Sequence, residues 1–188
     1  ETPDGHEMTF AVIHLASFLF TRLLLKNLKE GAPSRVLFIS SEAHRFGGLN
    51  LKDLNWQKRP YIALRAYGAA KIAQLHTAKI LAERLLHDRV TVNVMHPGAV
   101  RSNIGMNNGL LYRFYQRYIL HWFLKDTSLA GEAIYTLAAD PDLDDVTGKF
   151  FNRTIEEAPA WYAVRPEISQ DVWDRSETMI KPYLKGKQ

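Results

Sequence analysis

The 188-residue sequence predicts an α/β fold in which helices connect the strands of a parallel sheet. Two short runs rich in β-branched and aromatic residues, "RVLFIS" at 35–40 and "VTVNVM" at 90–95, are bounded by turn residues and predict buried strands. Each run follows a longer segment with helical periodicity, at 5–29 and at 61–87. Helix, strand, helix and strand in succession is typical of a parallel sheet with crossover helices, so both strands should end at the same edge of one sheet.

The first predicted helix, 5–29, carries apolar residues on successive turns and basic residues in its last part, as suits the carboxyl end of a helix. Gly31 and Pro33 then stop it. Its longest uncharged apolar run, Phe10 to Thr21, is shorter than the roughly 20 residues that span a bilayer. We therefore expect neither a membrane span nor a secretory signal in this segment.

The segment between the strand at 35–40 and the helix at 61–87 is polar, contains glycine and shows no period, which predicts a loop of about twenty residues. A loop of this length often lines a functional site. Further along, the aromatic-rich stretch at 109–125 fits a lid over an apolar substrate, a membrane-surface helix or a core-facing helix.

Downstream of that stretch, Asp126 or Thr127 can cap a helix that continues to about Ala139, and "GKFFN" predicts a last strand. No functional pattern is visible in the tail. The length and the apolar content of 46% fit one domain over 1–188.

Composition excludes several functions. The 24 basic and 20 acidic residues are interspersed, so nucleic-acid binding is not expected. The absence of cysteine removes disulfides and thiolate nucleophiles, and it favours a reducing compartment such as the cytoplasm. The seven histidines show no metal-ligand spacing, so no metal site is expected.

The short stretch "AYGAAK" places Tyr67 and Lys71 four residues apart, on one face of the predicted helix. A cation within about 4–6 Å can lower the pKa of a phenol by roughly 1–3 units. Such a phenol can exchange a proton with a carbonyl or alcohol oxygen, which hydride transfer at the same centre requires. The alternative is an ordinary half-buried tyrosine beside a surface lysine, because this spacing is frequent by chance.

Two strand ends add to this signal. "FISS" ends one predicted strand at Ser40 and Ser41, and "HPGAVRS" follows the other, with Gly98 able to let backbone approach a ligand. The carboxyl edge of a parallel sheet is where open α/β folds bind ligands. Each feature also has a simpler interpretation, because strand-end serines often bond loop backbone and Pro-Gly often makes a turn.

In this order, "VLFISSEAH", "YGAAK" and "VNVMHPGAVRS" resemble the short-chain dehydrogenases/reductases, and most of all the retinol dehydrogenase branch, over residues 4–152. The resemblance implies a Rossmann-like, doubly wound parallel sheet. It also implies hydride transfer between a nicotinamide cofactor, NADP or NAD, and a small apolar alcohol or carbonyl substrate. Helices 5–29 and 61–87 would pack across a homodimer interface, and membrane association stays open.

The same resemblance assigns roles to individual residues. Tyr67 would be the general acid/base, and Lys71 would lower its pKa and bond the nicotinamide ribose. Ser41, rather than Ser40, would hold the substrate oxygen. The residues that would contact the nicotinamide end are Pro97, Gly98, Val100 and Ser102.

Two departures from the family pattern matter. The glycine-rich turn G-x-x-x-G-x-G after a strand is missing, so the chain resembles only the catalytic, second half of the family fold. Ile13 stands where the family usually has asparagine, so a link from Lys71 towards solvent would use backbone or His14. The alternative hypothesis is therefore a non-catalytic fragment or pseudoenzyme that acts as an interaction module.

Overall fold

The computed structural model describes residues 1–98 and 127–184. Val100, Ser102 and the aromatic-rich stretch at 109–125 therefore lie outside the described residues. The helices are α1 (Met8–Glu30), α2 (Ala63–Arg84), α3 (Thr127–Ala139) and α4 (Pro166–Leu184). The strands are β1 (Ser34–Ile39), β2 (Val90–His96), β3 (Phe150–Asn152) and β4 (Ile155–Glu156). Short 3₁₀ turns cover Glu42–Arg45, Pro141–Leu143 and Trp161–Ala163.

The four strands form one sheet in the order β1-β2-β3-β4. β1 and β3 both run parallel to β2, whereas the two-residue strand β4 pairs antiparallel with β3. The predicted α/β fold with a parallel sheet is confirmed, with a short antiparallel hairpin added at its end. Among the described residues β1 pairs only with β2, so its other edge has no strand beside it.

Helices cover both faces of the sheet. Val92 and Val94 on β2 belong to the larger core cluster, which also holds buried residues of α1, α2 and α4. Met95 faces the opposite way and packs with Ala133 and Leu137 of α3. Successive side chains of a strand point to opposite faces, so this division follows directly from the alternation along β2. Cover on both faces leaves every residue of β2 buried, including the polar Thr91, Asn93 and His96.

Helix α1 starts at Met8 rather than at Gly5, because the Glu7 carboxylate accepts the backbone N–H groups of Thr9 and Phe10. One stretch of it, Ala11–Leu15, is π-helical. By length and composition alone the whole helix could cross a membrane, a property that the uncharged run within it did not show. Core helices of soluble proteins pass the same test, and α1 bonds α4 through His14 to Ser176 (2.7 Å).

Helix α4 was not predicted, and it covers a large part of α2. Two of its serines, seven residues apart, bond buried histidines: Ser169 to Nδ1 of His76 (2.9 Å) and Ser176 to Nε2 of His14 (2.7 Å). Each serine hydroxyl donates to the carbonyl four residues before it, at Arg165 and at Val172, so each histidine donates to the serine. Burial lowers the pKa of His14 to about 3 and that of His76 to about 4, which keeps both rings neutral.

The coverage of α2 bears on the predicted dimer. From Ala66 to Ala82 nearly every residue of α2 is buried within the chain itself. A homodimer through helices 5–29 and 61–87 stays a prediction, and on α2 it has little free surface among the described residues.

Candidate functional site

Ser41 stands where β1 ends and the 3₁₀ turn begins. The N–H of Ser40 still bonds Met95 of β2 (2.6 Å), and Ser40 is only 3% exposed. Ser41 is half-buried, and its hydroxyl oxygen accepts the N–H of Ala43 (3.2 Å). Because that oxygen acts as the acceptor, the hydroxyl proton of Ser41 remains free to donate. Burial therefore favours Ser41 over Ser40 as the residue that meets a substrate oxygen.

The charged side chains of this turn bond other elements. Glu42 accepts a hydrogen bond from Nε2 of His96 at the end of β2 (2.9 Å), and Arg45 bonds both Glu42 (2.8 Å) and Glu157 (3.1 Å) beside β4. Partial burial raises the pKa of Glu157, but hydrogen bonds from His96, Asn152 and Arg45 outweigh it and hold that pKa below its usual range. The turn after Ser41 is thus tied to two strands of the sheet.

Glu42, His96 and Glu157 also place potential metal-ligand atoms within 4.8 Å of one another, which the sequence spacing of the histidines did not indicate. Gly98 donates its N–H to Nδ1 of His96 (3.2 Å), so the ring carries its proton on Nε2 and donates it to the carboxylates. The guanidinium of Arg45 already supplies a cation to both carboxylates. The contacts therefore describe a closed ion-pair network.

His44 is the site residue that the sequence analysis missed. It is fully buried, its Nδ1 bonds the carbonyl oxygen of Ser41 (2.7 Å), and its Nε2 accepts the N–H of Ala160 (3.2 Å). Burial lowers the pKa of His44 and keeps the ring neutral. The motif "SSEAH" contained this histidine, but its partner at 160 lies in the tail, where no pattern was visible.

Tyr67 and Lys71 share one face of α2, as their spacing predicted. The Lys71 amine lies 5.9 Å from the centre of the Tyr67 ring. Its nitrogen donates to the carbonyl of Ile39 (2.6 Å) and to the side chain of Gln74 (3.3 Å). Lys71 is 9% exposed, so the interpretation as a surface lysine is wrong, and burial lowers its pKa to about 8. At neutral pH the amine is still mostly charged.

The small residues between Tyr67 and Lys71 have a steric reason. A Cβ placed on Gly68 would overlap the carbonyl oxygen of Ala43 and lie 2.7 Å from the Cα of Gly47. The backbone of α2 therefore touches the turn that Ser41 begins, which only glycine permits. This contact brings the helix that carries Tyr67 and Lys71 directly against the turn that carries Ser41.

Pro97 and Gly98 follow β2 at the same edge of the sheet as Ser41, because β1 and β2 are parallel. Gly98 has φ +75°, and, of the residues that the structure describes, a Cβ there would come within 4 Å of Asn152 Oδ1 alone, at 3.9 Å. Backbone in this position is open to a ligand. Val100 and Ser102 continue the predicted contact segment outside the described residues.

These residues fit one end of a nicotinamide cofactor. Lys71 could bond a ribose hydroxyl, and the Pro97-Gly98 backbone could lie against the ring. No glycine-rich turn for the pyrophosphate exists in the sequence. This chain's own residues would therefore hold the nicotinamide end alone.

The segment around Ile13 lies in the π-helical part of α1. The side chain of Ile13 packs partly buried against the core, and its carbonyl oxygen accepts the hydroxyl of Ser17 (2.9 Å). The adjacent His14 is committed to Ser176 on α4. Both predicted substitutes for the family asparagine, the backbone of this segment and His14, stay predictions.

Comparisons with known proteins agree with the motifs. No protein-family model matches the chain. It is 39% identical to human retinol dehydrogenase 13 over 183 residues, which cover 95% of this chain and 55% of that protein. It is 37% identical to mouse retinol dehydrogenase 14 (96% and 54% covered) and 30% identical to the zebrafish WW domain-containing oxidoreductase (96% and 45%).

A crystal structure of an uncharacterised protein from Mycobacterium paratuberculosis is similar, with TM-score 0.68 and 28% identity, over 96% of this chain and 61% of that one. The resemblance predicted from the motifs is thereby confirmed. The chain spans about half the length of the curated relatives it matches.

Proposed function

We propose that the protein containing this chain, a homologue of retinol dehydrogenases within the short-chain dehydrogenases/reductases, is an NADP- or NAD-dependent oxidoreductase for an apolar alcohol or carbonyl compound. One observation supports this most directly. A buried lysine and a tyrosine on α2 stand against the turn of Ser41 through the backbone contact of Gly68 with Ala43. Acid/base, cation and hydroxyl donor thus come from adjoining elements.

Each side chain has a role in reduction of a carbonyl. The bound cofactor supplies a hydride to the carbonyl carbon. Ser41 donates its hydroxyl proton in a hydrogen bond to the carbonyl oxygen and orients it. As the π electrons move to that oxygen, it takes the proton of the Tyr67 hydroxyl, and an alcohol results. Oxidation of an alcohol runs through the same groups in reverse.

Lys71 acts on Tyr67. Its ammonium group has three N–H donors, of which Ile39 and Gln74 accept two, so one remains for a ribose hydroxyl. The positive charge stabilises the phenolate that forms when Tyr67 gives up its proton. Because Lys71 is buried, water screens this charge little.

The substrate class rests on the relatives' names, so retinal is the first probe rather than a conclusion about the natural substrate. The proposed location is the cytoplasm or a membrane surface that faces it. Exposed apolar residues on α1, such as Val12 and Phe20, are compatible with contact to a membrane.

A second candidate is the interaction module. The unpaired edge of β1 favours it, because an open strand edge can pair with another strand. A hollow of about 430 Å³ runs along this edge between β1 and α1. In this alternative the chain would bind a partner and perform no redox chemistry.

The test is turnover of retinal with NADPH or NADH by the complete protein, compared with its Tyr67→Phe variant. Removal of the acid should lower kcat about 10²- to 10⁴-fold. Tyr61→Phe is the matched control, because the Tyr61 hydroxyl lies near the start of α1 and bonds Glu7 (3.0 Å). It should leave kcat unchanged within about twofold.

A Tyr67→Phe variant that keeps at least a third of the wild-type kcat would overturn the assigned role. If the complete wild-type protein oxidises neither NADPH nor NADH when retinal or simpler apolar aldehydes are supplied, the interaction module is favoured.

A further inference from the structure

We propose that His44 is the positioning residue for Ser41 in the reaction of this site, and that it couples Ser41 to the segment following β4. The inference rests on the proposed function. Among the described residues, His44 is the one side chain that bonds the backbone carbonyl of Ser41, which also accepts the backbone N–H of His44.

The bonding partners fix the protonation state of the ring. The backbone N–H of Ala160 donates to Nε2, so Nε2 carries no proton. The ring proton is therefore on Nδ1, where it is donated to the Ser41 carbonyl oxygen at 2.7 Å. A protonated imidazolium cannot accept from Ala160, so the neutral ring with its proton on Nδ1 is the form that can bridge the two backbones.

The environment keeps the ring in that orientation. His44 is 0% exposed and packs edge-on against Phe150 of β3, with ring centres 5.2 Å apart. The titratable groups near it are Glu42, Arg45 and His96, and Arg45 and Glu42 pair with each other. His44 therefore has no competing charged partner of its own, and both of its ring nitrogens are used on backbone.

The same downstream segment also contacts Arg45 at the end of the turn. Glu157 accepts from Arg45 (3.1 Å), and the Tyr162 hydroxyl donates to the carbonyl of Arg45 (2.7 Å). Both contacts hold the far end of the turn. Within the described part of the chain, the His44 bridge is the contact that links the downstream segment to Ser41 itself, so through it the position of that segment can set the position of the Ser41 hydroxyl.

The consequence for catalysis follows from geometry. The Ser41 backbone is extended (φ −156°, ψ 152°). Its hydroxyl belongs to the same residue as the carbonyl that His44 holds, so the positions of these two groups are linked. The Ser41 carbonyl also accepts the backbone N–H of His44 (3.1 Å), so loss of the imidazole leaves that bond within the turn but cuts the link to Ala160. The turn can then shift relative to the downstream segment, which moves the Ser41 hydroxyl relative to Tyr67 on α2. A displacement of about 1 Å at a reacting group can cost on the order of 10²-fold in rate.

The experiment is a double-mutant cycle in the complete protein, with retinal and reduced cofactor. The variants are His44→Phe, Ser41→Ala and the combination of the two. His44→Phe keeps a ring against Phe150 but removes both hydrogen bonds. It should lower kcat about 10- to 100-fold and leave the KM for the cofactor within about twofold. In the Ser41→Ala background the same change should cost less than about threefold.

The control is His76→Phe, which removes a buried neutral histidine bonded to Ser169 on α4 rather than to the Ser41 turn. It should leave kcat within about twofold. His44→Gln offers an N–H donor and a carbonyl acceptor on one side chain, so it should recover part of the rate that His44→Phe loses. Equal losses of kcat from His44→Phe in both backgrounds, or no loss in either, would overturn the positioning role.

The two proposals fail differently. If the wild-type complete protein shows no turnover, the proposed function fails, and the bridge is then tested by the nitrogen NMR shifts of His44 and by amide exchange at Ala43. A protonated Nδ1, a bare Nε2 and faster exchange at Ala43 in His44→Phe, but not in His76→Phe, would support the bridge. Any other tautomer, or equal exchange in both variants, would overturn it. If His44→Phe does not fold, His44→Leu, which also removes both hydrogen bonds, carries the same cycle.

Discussion

The carboxyl end of strand β1 and its outer edge differ in how far they are bonded to the rest of the chain. At its carboxyl end the turn Glu42–Arg45 is held on every side, by His96, by the backbone of α2, by Ala160 and by Glu157. Along its outer edge β1 has no partner strand among the described residues, and a hollow of about 430 Å³ runs beside it. The turn after the strand is thus fixed by contacts with other parts of the chain, whereas the outer edge is unpaired among the described residues.

This difference separates two parts of the proposed activity. The residues proposed to act on the substrate are placed by contacts that this chain supplies itself. The outer edge of β1, where further strands of a doubly wound sheet would pair, has no partner strand among the described residues. The sequence also contains no glycine-rich turn for a pyrophosphate. The chain therefore resembles the catalytic half of the retinol dehydrogenases to which it is similar, and those proteins are about twice as long.

The largest expected effect tests the closed end. Gly68→Ala places a methyl group against the backbone of Ala43 and Gly47, which cannot give way as a flexible side chain could. We expect the free energy of unfolding to fall by about 3 kcal/mol, measured by urea denaturation of the chain. Activity of the complete protein should fall with it, because α2 and the Ser41 turn move apart.

Gly131→Ala in helix α3 is the matched control. No described residue lies within 4 Å of a Cβ at that position, and alanine is the better helix former. The control should raise the free energy of unfolding by about 0.5–1 kcal/mol. If both variants shift stability by the same amount and sign, the close contact at Gly68 does not hold the turn.

The open edge predicts a pattern of amide exchange along β1. The N–H groups of Ser34 and Ser40 bond β2, and neighbouring residues of a strand alternate in direction. The backbone N–H groups of Val36 and Phe38 therefore point towards β2, whereas those of Leu37 and Ile39 point to the open edge. In the chain alone the outward amides should exchange at least about 100-fold faster than the inward ones.

The complete protein sharpens this test. If a further strand pairs with β1 there, the outward amides become protected as well, and the carbonyl of Ile39 gains a backbone donor in place of Lys71. Equal exchange of the two sets in the chain alone would show that the outer edge is already covered.

Much of this organisation could be predicted from the sequence. Strands β1, β2 and β3 and the helices at 5–29, 61–87 and 127–139 follow from local sequence patterns, and the structure differs from them by a few residues at the ends, whereas the two-residue strand β4 was not predicted. Tyr67, Lys71 and Ser41 came from local motifs, because their spacing along one helix and one strand end is written in the sequence. Their chemical roles stay predictions.

The rest depended on contacts between distant residues. The bond from His44 to Ala160 spans 116 residues, and neither residue is unusual in its own stretch. Helix α4 has only weak turn signals, and the serines by which it holds His14 and His76 are common residues on any helix. Gly47 lies in the loop after β1, and Gly68, which it contacts, lies on helix α2, so the close approach of the two glycines is not apparent from either stretch alone. No pattern within a short window records such pairs.

Acid should weaken the closed region, at a smaller cost per pH unit. His14 and His76 have folded pKa values of about 3 and 4, both below the ordinary 6.5 because of burial. Between those values and 6.5 the unfolded chain binds more protons than the folded chain. The stabilisation is therefore fully present above pH 6.5 and is lost as the pH falls towards 4. Each histidine contributes a slope of up to about 1.4 kcal/mol per pH unit.

Urea denaturation of the chain between pH 7 and pH 5 measures this slope. His76→Phe removes one of the two groups and should reduce the slope contributed by this pair by about half, because only His14 still gains a proton on unfolding. Amide exchange at pH 5 should rise in α4 and in the Ser41 turn before it changes at the open edge of β1, where none of His14, His44 and His76 lies. If His76→Phe leaves the slope unchanged, His76 is not held neutral by burial, and the closed region does not depend on uncharged histidines for its packing.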